Sequence, residues 1–168
     1  FANMMEYVAV DALHPKWRMW EDFATGEVTA ALRRDSLDGV QAVQADVNHP
    51  DEISTLFDPA IVYAKGGRLL VMVRRLIGEE AFRAGLKSYF EKFAYQNTVG
   101  DDLWQELETA SGQPVVDLMN TWISQPGLPI VRVEQDNSTE QSTVTLNQER
   151  FFIGDHKPSD ALWPIPLF

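Results

Sequence analysis

The chain has 168 residues, of which 45% are hydrophobic, and its formal net charge at neutral pH is -11. A chain of this size can bury a core, and its acidic balance repels nucleic acid and anionic lipid, so neither nucleic acid nor membrane is expected as a partner. The absence of cysteine excludes disulfides and thiolate metal ligands, and without a signal-peptide pattern the cytoplasm is the expected compartment.

Helical periodicity dominates the first third of the chain. Apolar residues at three-to-four spacing predict a helix that is already under way at Phe1 and stops at Pro15. A second set predicts one or two further helices with Gly26 as a weak point: Trp17, Trp20, Phe23, Val28, Ala31 and Leu32. The large aromatic residues in this set are expected to be deeply buried. From Asp35 to Asp58 the pattern weakens, which indicates a loop.

Helix start and stop signals divide the middle of the chain. Asp58 followed by Pro59 predicts a helix start, because aspartate can cap free amides and proline at the first position loses no needed donor. This helix should run to about Ile77, with Gly78 as a left-handed C-terminal residue and the next helix beginning at the following glutamates. Its longest aliphatic run, residues 69–73, is far short of the ~20 residues that cross a bilayer.

Two more helices and a group of strands are predicted in the rest of the chain. Thr98 is expected to cap a helix that ends at Gly112, and another should start at Pro114 and end before Pro126. After Pro129 alternation predicts strands near residues 130–134 and 143–146, joined by a turn at residues 136–138. Further strands are expected at residues 151–153 and 163–168, the latter at an edge, and one apolar sheet face should be covered by residues beyond the chain.

Residue types alone assemble no catalytic centre. The three histidines, His14, His49 and His156, lack the spacing of metal ligands, and there is no Gly-x-Ser-x-Gly sequence. No metal-ligating and no cofactor-binding residue is therefore predicted in this chain. A tyrosine in the first turns of a helix, such as Tyr63, is by itself more typical of an amphipathic residue that packs against its neighbours.

A resemblance to a known family enters at residues 57–70, Phe-Asp-Pro-Ala-Ile-Val-Tyr-Ala-Lys-Gly-Gly-Arg-Leu-Leu, which resemble a signature stretch of the zinc aminopeptidases of the aminopeptidase N (gluzincin) family. Residues 76–86, 95–98, 102–104 and 122–129 resemble later stretches of the same family in the same order. The resemblance implies a mainly α fold. Residues 1–127 would be the C-terminal, helical part of a thermolysin-like catalytic domain, and residues 128–168 the start of an incomplete antiparallel β-sandwich domain.

The same resemblance implies where the metal chemistry lies. Phe1 to Tyr7 resemble the stretch that follows the family's Asn-Glu-Gly, whose glutamate is the third zinc ligand. That ligand, the His-Glu-x-x-His helix and the strand that grips the substrate amine would then precede Phe1. Zinc is expected in the parent enzyme and none in this fragment alone. Glu6 would either border the metal site or pair with a nearby lysine or arginine.

Tyr63 matches the tyrosine that hydrogen-bonds the developing oxyanion in this family. A phenol keeps its proton at neutral pH and can donate it to an oxygen that gains charge. Lys65 and Arg68 follow on the same helix and either position neighbours or are solvated. The resemblance thus implies a parent enzyme that hydrolyses N-terminal residues from peptides, with the fragment inactive and the missing N-terminal part of the polypeptide as its partner. The alternative is a non-catalytic helical scaffold or partner-binding module of the same descent.

Overall fold

The computed structural model describes residues 1–137 and 142–167, and it is mainly helical with one antiparallel strand hairpin. This confirms the predicted fold class. The helices are α1 Ala2–Leu13, α2 Met19–Asp22, α3 Thr29–Asp35, α4 Ile53–Leu56, α5 Gly66–Ile77, α6 Glu79–Lys92, α7 Gly100–Ser111 and α8 Val115–Ser124. The strands are β1 Pro129–Asp136 and β2 Thr143–Arg150. In the described part of the chain, no helix is long and apolar enough to cross a membrane.

Two π-helical segments interrupt the regular helices. The first, Phe23–Val28, joins α2 to α3, and the second, Ala60–Lys65, leads directly into α5. The two segments lie against each other. Each hydrogen bond of a π-helix spans one more residue than in an α-helix. Such segments are rare in proteins overall, but those that occur often lie at functional sites.

The helix start and the helix end predicted around the second π-helical segment are largely confirmed. The Asp58 carboxylate accepts a hydrogen bond from the amide of Ala60 at 3.0 Å, so it caps the helix as expected. Helix α5 ends at Ile77, as predicted. Gly78 has a positive φ of 82° but a ψ of 161°, so the prediction of a left-handed helical residue was wrong in ψ. This extended ψ lets α6 begin at once.

The cap predicted before α7 was wrong. The helix is capped at Val99, whose amide donates to the Asp102 carboxylate at 2.9 Å. The hydroxyl of Thr98 instead shares a hydrogen bond of 2.6 Å with the hydroxyl of Tyr89 on α6. Thr98 thus forms a tertiary contact with Tyr89, although local propensity predicts that its side chain caps the helix.

The core lies between α1, α5, α6, α7 and α8. Its most deeply buried side chains are Met4, Phe23, Val73, Leu107, Val115 and Met119. Phe23 is buried as predicted, but Trp17 is 61% exposed and stacks on the ring of His14, which corrects the expectation that all aromatic residues of this stretch are deep. The 3₁₀ turn Pro15–Trp17 directs that ring outward.

The hairpin pairs Pro129 with Arg150 at its base and Asp136 with Thr143 at its tip. Most of its side chains are exposed. Of the predicted turn at residues 136–138, residue 138 lies outside the described residues. What the structure describes of the sheet has two strands, so the strand prediction for residues 151–153 was wrong.

The segment after the hairpin is irregular and tied to the helical part. The Ile153 amide donates to the Ser36 carbonyl at 2.9 Å. Trp163 is buried, and its backbone exchanges two hydrogen bonds with the side chain of Gln148, at 3.0 and 2.9 Å. The edge strand predicted for residues 163–168 is therefore absent from residues 163–167, and residue 168 lies outside the described residues. The prolines of this segment cannot donate hydrogen bonds to a neighbouring strand, and the backbone of Trp163 is paired with the Gln148 side chain instead.

Candidate active site

Tyr63 lies in the second π-helical segment with its side chain directed outward. The residue is 44% exposed. Its ring meets the ring of Phe57 edge-on, with centroids 5.4 Å apart and an interplanar angle of 83°. Within residues 1–137 and 142–167 its hydroxyl makes no hydrogen bond. The donor is therefore available to a group outside the described residues.

The backbone of this segment is held at both ends. Asp58, which caps it, forms an ion pair with Arg34 of α3, with 2.5 Å between the Nε and Oδ2 atoms. On the other side, the Asn3 side-chain amide donates to the Tyr63 carbonyl at 3.4 Å. These contacts fix the segment against α3 and α1.

Asn3 also belongs to a polar cluster on the first π-helical segment. The Glu27 carboxylate accepts from the Asn3 amide at 2.7 Å and from the Tyr7 hydroxyl at 2.9 Å. Burial, followed by the hydrogen bond to Glu27, raises the pKa of Tyr7 to about 12. Tyr7 thus keeps its proton and stays a hydrogen-bond donor to Glu27 across the neutral range.

Lys65 is buried two residues after Tyr63. Its Nζ atom lies 2.8 Å from Asp35 Oδ2 and donates to the carbonyls of Gly127 at 2.9 Å and Gln125 at 3.3 Å. The second Asp35 oxygen accepts from the Gly127 amide at 2.7 Å. Burial lowers the pKa of Lys65, and the carboxylate of Asp35 opposes that shift. We call these four residues the Lys65 network.

The sequence left Lys65 open between a positioning and a solvated role, and it gave no sign of Asp35. The solvated alternative does not hold, since Lys65 is only 6% exposed. A usable signal was its spacing of four residues from both Ile61 and Leu69, which places it on the buried face of the helix. Its partners at residues 35 and 127 are too distant in the chain for any local pattern to reveal.

Two of the cavities beside helix α5 share Arg68 in their lining. One of about 270 Å³ is lined by Lys65, Asp35, Arg68 and Trp122 among mainly apolar neighbours, and one of about 580 Å³ is lined by Arg68 and Trp20 among others. Partial burial lowers the pKa of Arg68, and the nearby Arg75 adds to the shift. Tyr63 lines neither cavity.

The described residues do not fit a zinc ion. None of them form a group of three or more His, Asp or Glu side chains that could hold a metal. His14 stacks on Trp17, and His49 caps the 3₁₀ turn Pro50–Glu52. His156 stacks on the Phe152 ring, with centroids 4.2 Å apart. The histidines therefore have turn and surface roles.

Glu6 is exposed on α1. In the described part of the chain it has no lysine or arginine partner, so the ion pair considered for it is absent there. Its other role, at the border of a metal site, stays a prediction. Tyr63 and the Lys65 network thus remain the candidate functional residues around the second π-helical segment.

Comparisons with known proteins agree with one another. Residues 1–122 match the peptidase family M1 domain. Over 99% of its length the chain is 55% identical to an aminopeptidase N of Lactococcus lactis subsp. lactis, and also over 99% it is 53% identical to one of Lactobacillus delbrueckii subsp. lactis. It is 40% identical, again over 99% of its length, to the tricorn protease-interacting factor F2 of Thermoplasma acidophilum.

The chain spans only about a fifth of these relatives, covering 19% of each aminopeptidase N and 21% of the archaeal protein. The similarity is thus continuous through this chain and limited to one part of much longer proteins.

Proposed function

Because the chain belongs to the peptidase M1 family, we propose that its longer protein is a zinc-dependent aminopeptidase in which Tyr63 stabilises the oxyanion. The substrates would be peptides with a free N-terminus. The names of the bacterial relatives support the activity. The observation that carries the role of Tyr63 is its exposed ring, whose hydroxyl is not used by any described residue.

The proposed chemistry of Tyr63 follows from its donor hydrogen. When water adds to the scissile carbonyl, the carbonyl oxygen gains negative charge. A phenol hydroxyl aimed at that oxygen stabilises the transition state more than the uncharged substrate, so it raises turnover more than binding. The Phe57 ring and the capped helix start would limit the motion of the tyrosine ring.

Zinc enters this proposal only through the longer protein. The described residues lack a metal-ligand group, so the ligands and the general base would come from other parts of the polypeptide, and this chain alone would be inactive. In the same proposal, residues 1–127 complete the catalytic domain and residues 128–168 begin a β-sandwich domain. The enzyme would act in the cytoplasm in peptide catabolism.

The test uses the full-length protein with Tyr63→Phe, which removes only the hydroxyl. Turnover of alanyl, leucyl and lysyl p-nitroanilides should fall by about 100- to 1,000-fold, the loss typical of an oxyanion donor, with little change in KM. Tyr95→Phe is the matched control, because Tyr95 is fully exposed and far along the chain. Wild-type turnover in Tyr63→Phe would remove the residue from the site.

The competing interpretation is a non-catalytic module of the same descent. It predicts that the full-length wild-type protein, loaded with zinc, hydrolyses none of these anilides. Hydrolysis by the wild type together with a loss in Tyr63→Phe would exclude it.

A further inference from the structure

One buried ion pair stands apart from the other charged contacts of the molecule. Among the ion pairs of the described residues, Lys65 with Asp35 is the one in which both side chains are almost completely buried, at 6% and 4% exposure. The others have at least one partner that is well exposed. A buried pair contributes little to stability over an apolar replacement, so its presence suggests a need for fixed geometry.

The hydrogen bonds of this pair are complete. An ammonium group has three donors, and those of Lys65 meet the Asp35 carboxylate and the carbonyls of Gln125 and Gly127. The Gly127 amide returns a hydrogen bond to Asp35. Three parts of the chain, α3, the π-helical segment and the link from α8 to β1, are therefore joined at a single nitrogen atom.

The same wide turn carries Tyr63 on its outer side. Tyr63 is 44% exposed while Lys65 is buried, so the two side chains point to opposite sides of the π-helical segment. A π-helical turn holds an extra residue, and loss of that register would rotate the residues of the turn relative to α5. The buried ion pair and the exposed ring thus belong to the same turn of the chain.

The far end of the network is a glycine beside the base of the hairpin. Gly127 has a φ of +99°, and a Cβ there would lie 2.3 Å from the Arg150 guanidinium, which itself covers the Phe152 ring. Side chains rarely adopt this φ, so the position favours glycine. The carbonyl that accepts from Lys65 thus lies two residues before the first strand of the hairpin.

We propose that Lys65 is a positioning residue, which fixes the Tyr63 hydroxyl by clamping the π-helical segment to Asp35 and Gly127. The inference rests on the proposed role of Tyr63. It assigns no contact between Lys65 and substrate; the lysine acts through the orientation of the tyrosine ring.

The test is a double-mutant cycle in the full-length protein with Lys65→Met, Tyr63→Phe and the combination, assayed with leucyl p-nitroanilide. Methionine keeps the unbranched apolar stem of the side chain and removes the ammonium group with its charge. Lys65→Met should lower kcat by roughly 10- to 100-fold with KM almost unchanged, the cost of a misplaced group. In the Tyr63→Phe background the same substitution should cause no further loss, because its effect runs through the hydroxyl.

The outcomes separate this inference from the proposed function. If Tyr63→Phe keeps wild-type turnover, the proposed function fails. If Tyr63→Phe lowers turnover but Lys65→Met lowers kcat by the same factor in both backgrounds, the lysine has a general structural role and the inference is overturned. Lys87→Met is the matched control, since Lys87 forms an exposed pair with Glu91 and should leave kcat unchanged.

A second variant and a second readout cover the case in which Lys65→Met does not fold. Asp35→Asn keeps the size of the side chain and an acceptor for the Gly127 amide while it removes the charge, and it should show the same dependence on Tyr63. Hydrogen exchange of amides 60–66 in either variant should be faster than in the wild type. Unchanged exchange together with unchanged kcat would overturn the inference.

Discussion

The helical part of the chain and the strand hairpin are stabilised in different ways. In the helical part, Met4, Val73 and Leu107 are completely buried and belong to one continuous core. In the hairpin, most side chains of both strands are exposed, and Val133 keeps 66% of its accessible surface. The helices therefore depend on packing, whereas the hairpin depends on its backbone ladder and on its anchoring at the base.

This difference explains where the candidate site lies. Tyr63 and Lys65 belong to a segment that packs against α3 and the first π-helical segment and leads into α5. The hairpin contributes only through its base, where Gly127 and Arg150 meet. A site that needs fixed geometry is thus built on the densely packed helical part, and the hairpin contacts it only at its base.

The largest effect expected from this comparison is that of Leu107→Ala. It opens a cavity in the contact between α6 and α7 and should reduce the free energy of unfolding by about 2–5 kcal/mol. Hydrogen exchange of α7 amides in the full-length protein measures it. Leu162→Ala, at an exposed leucine, is the control and should change little. Equal effects of the two substitutions would show that the core does not determine stability.

The second largest loss in free energy of unfolding is expected for Gly85→Ala. This substitution tests how closely α6 approaches α7. A Cβ at this position would lie 2.9 Å from Leu107 Cδ2 and 3.0 Å from the Glu106 carbonyl oxygen and from Leu107 Cα. Backbone atoms cannot yield easily, so the substitution should destabilise by about 1–3 kcal/mol. Gly26→Ala meets no atom within 4 Å and should stabilise by about 0.5–1 kcal/mol. Urea denaturation compares the two, and a stable Gly85→Ala variant would contradict the tight contact.

A smaller and pH-dependent effect is expected for Tyr7→Phe at the edge of the core. Loss of the hydrogen bond to Glu27 should cost about 1 kcal/mol. Because the folded pKa of Tyr7 is raised to about 12 from 10.0, its contribution is fully present below pH 10 and is lost as the pH rises through about 12. Urea denaturation of wild type and variant should therefore converge with rising pH. A gap that widens above pH 10 would refute the assigned cause.

The smallest effect is expected in the hairpin. Val133→Ala removes methyl groups that are already largely exposed, and the free energy of unfolding should change by no more than about 0.5 kcal/mol. Hydrogen exchange of the β1 amides measures the change. A loss comparable to that of Leu107→Ala would mean that the hairpin face is covered in the full-length protein, and the comparison would then apply only to this chain.

Features encoded by neighbouring residues could be predicted from the sequence. Asp58 caps the amide of Ala60, only two positions away, and α5 ends at Ile77 just before a glycine. Such contacts depend on side-chain chemistry within one turn, which a short pattern contains. The same holds for the hairpin strands, whose alternation is local.

Features that depend on distant partners could not be predicted. Local propensity predicts that Thr98 caps α7, but its hydroxyl shares a hydrogen bond with the Tyr89 hydroxyl. The sequence pattern predicts a strand at Trp163, but the Gln148 side chain binds the Trp163 backbone through two hydrogen bonds. The role of Tyr63 rests on a resemblance to a family and stays a prediction. The burial of Lys65 depends on acceptors at the far end of the helical part, which no local pattern contains.

The chain separation within the Lys65 network has a consequence for biosynthesis. Asp35 and Gly127 are 92 residues apart, and Lys65 and Gly127 are 62 apart. Lys65 emerges from the ribosome with its carboxylate partner already made, but two of its three acceptors do not exist until residue 127 has been added. Closing loops of this length is entropically unfavourable, so we expect the turn that bears Tyr63 to reach its final form late in folding.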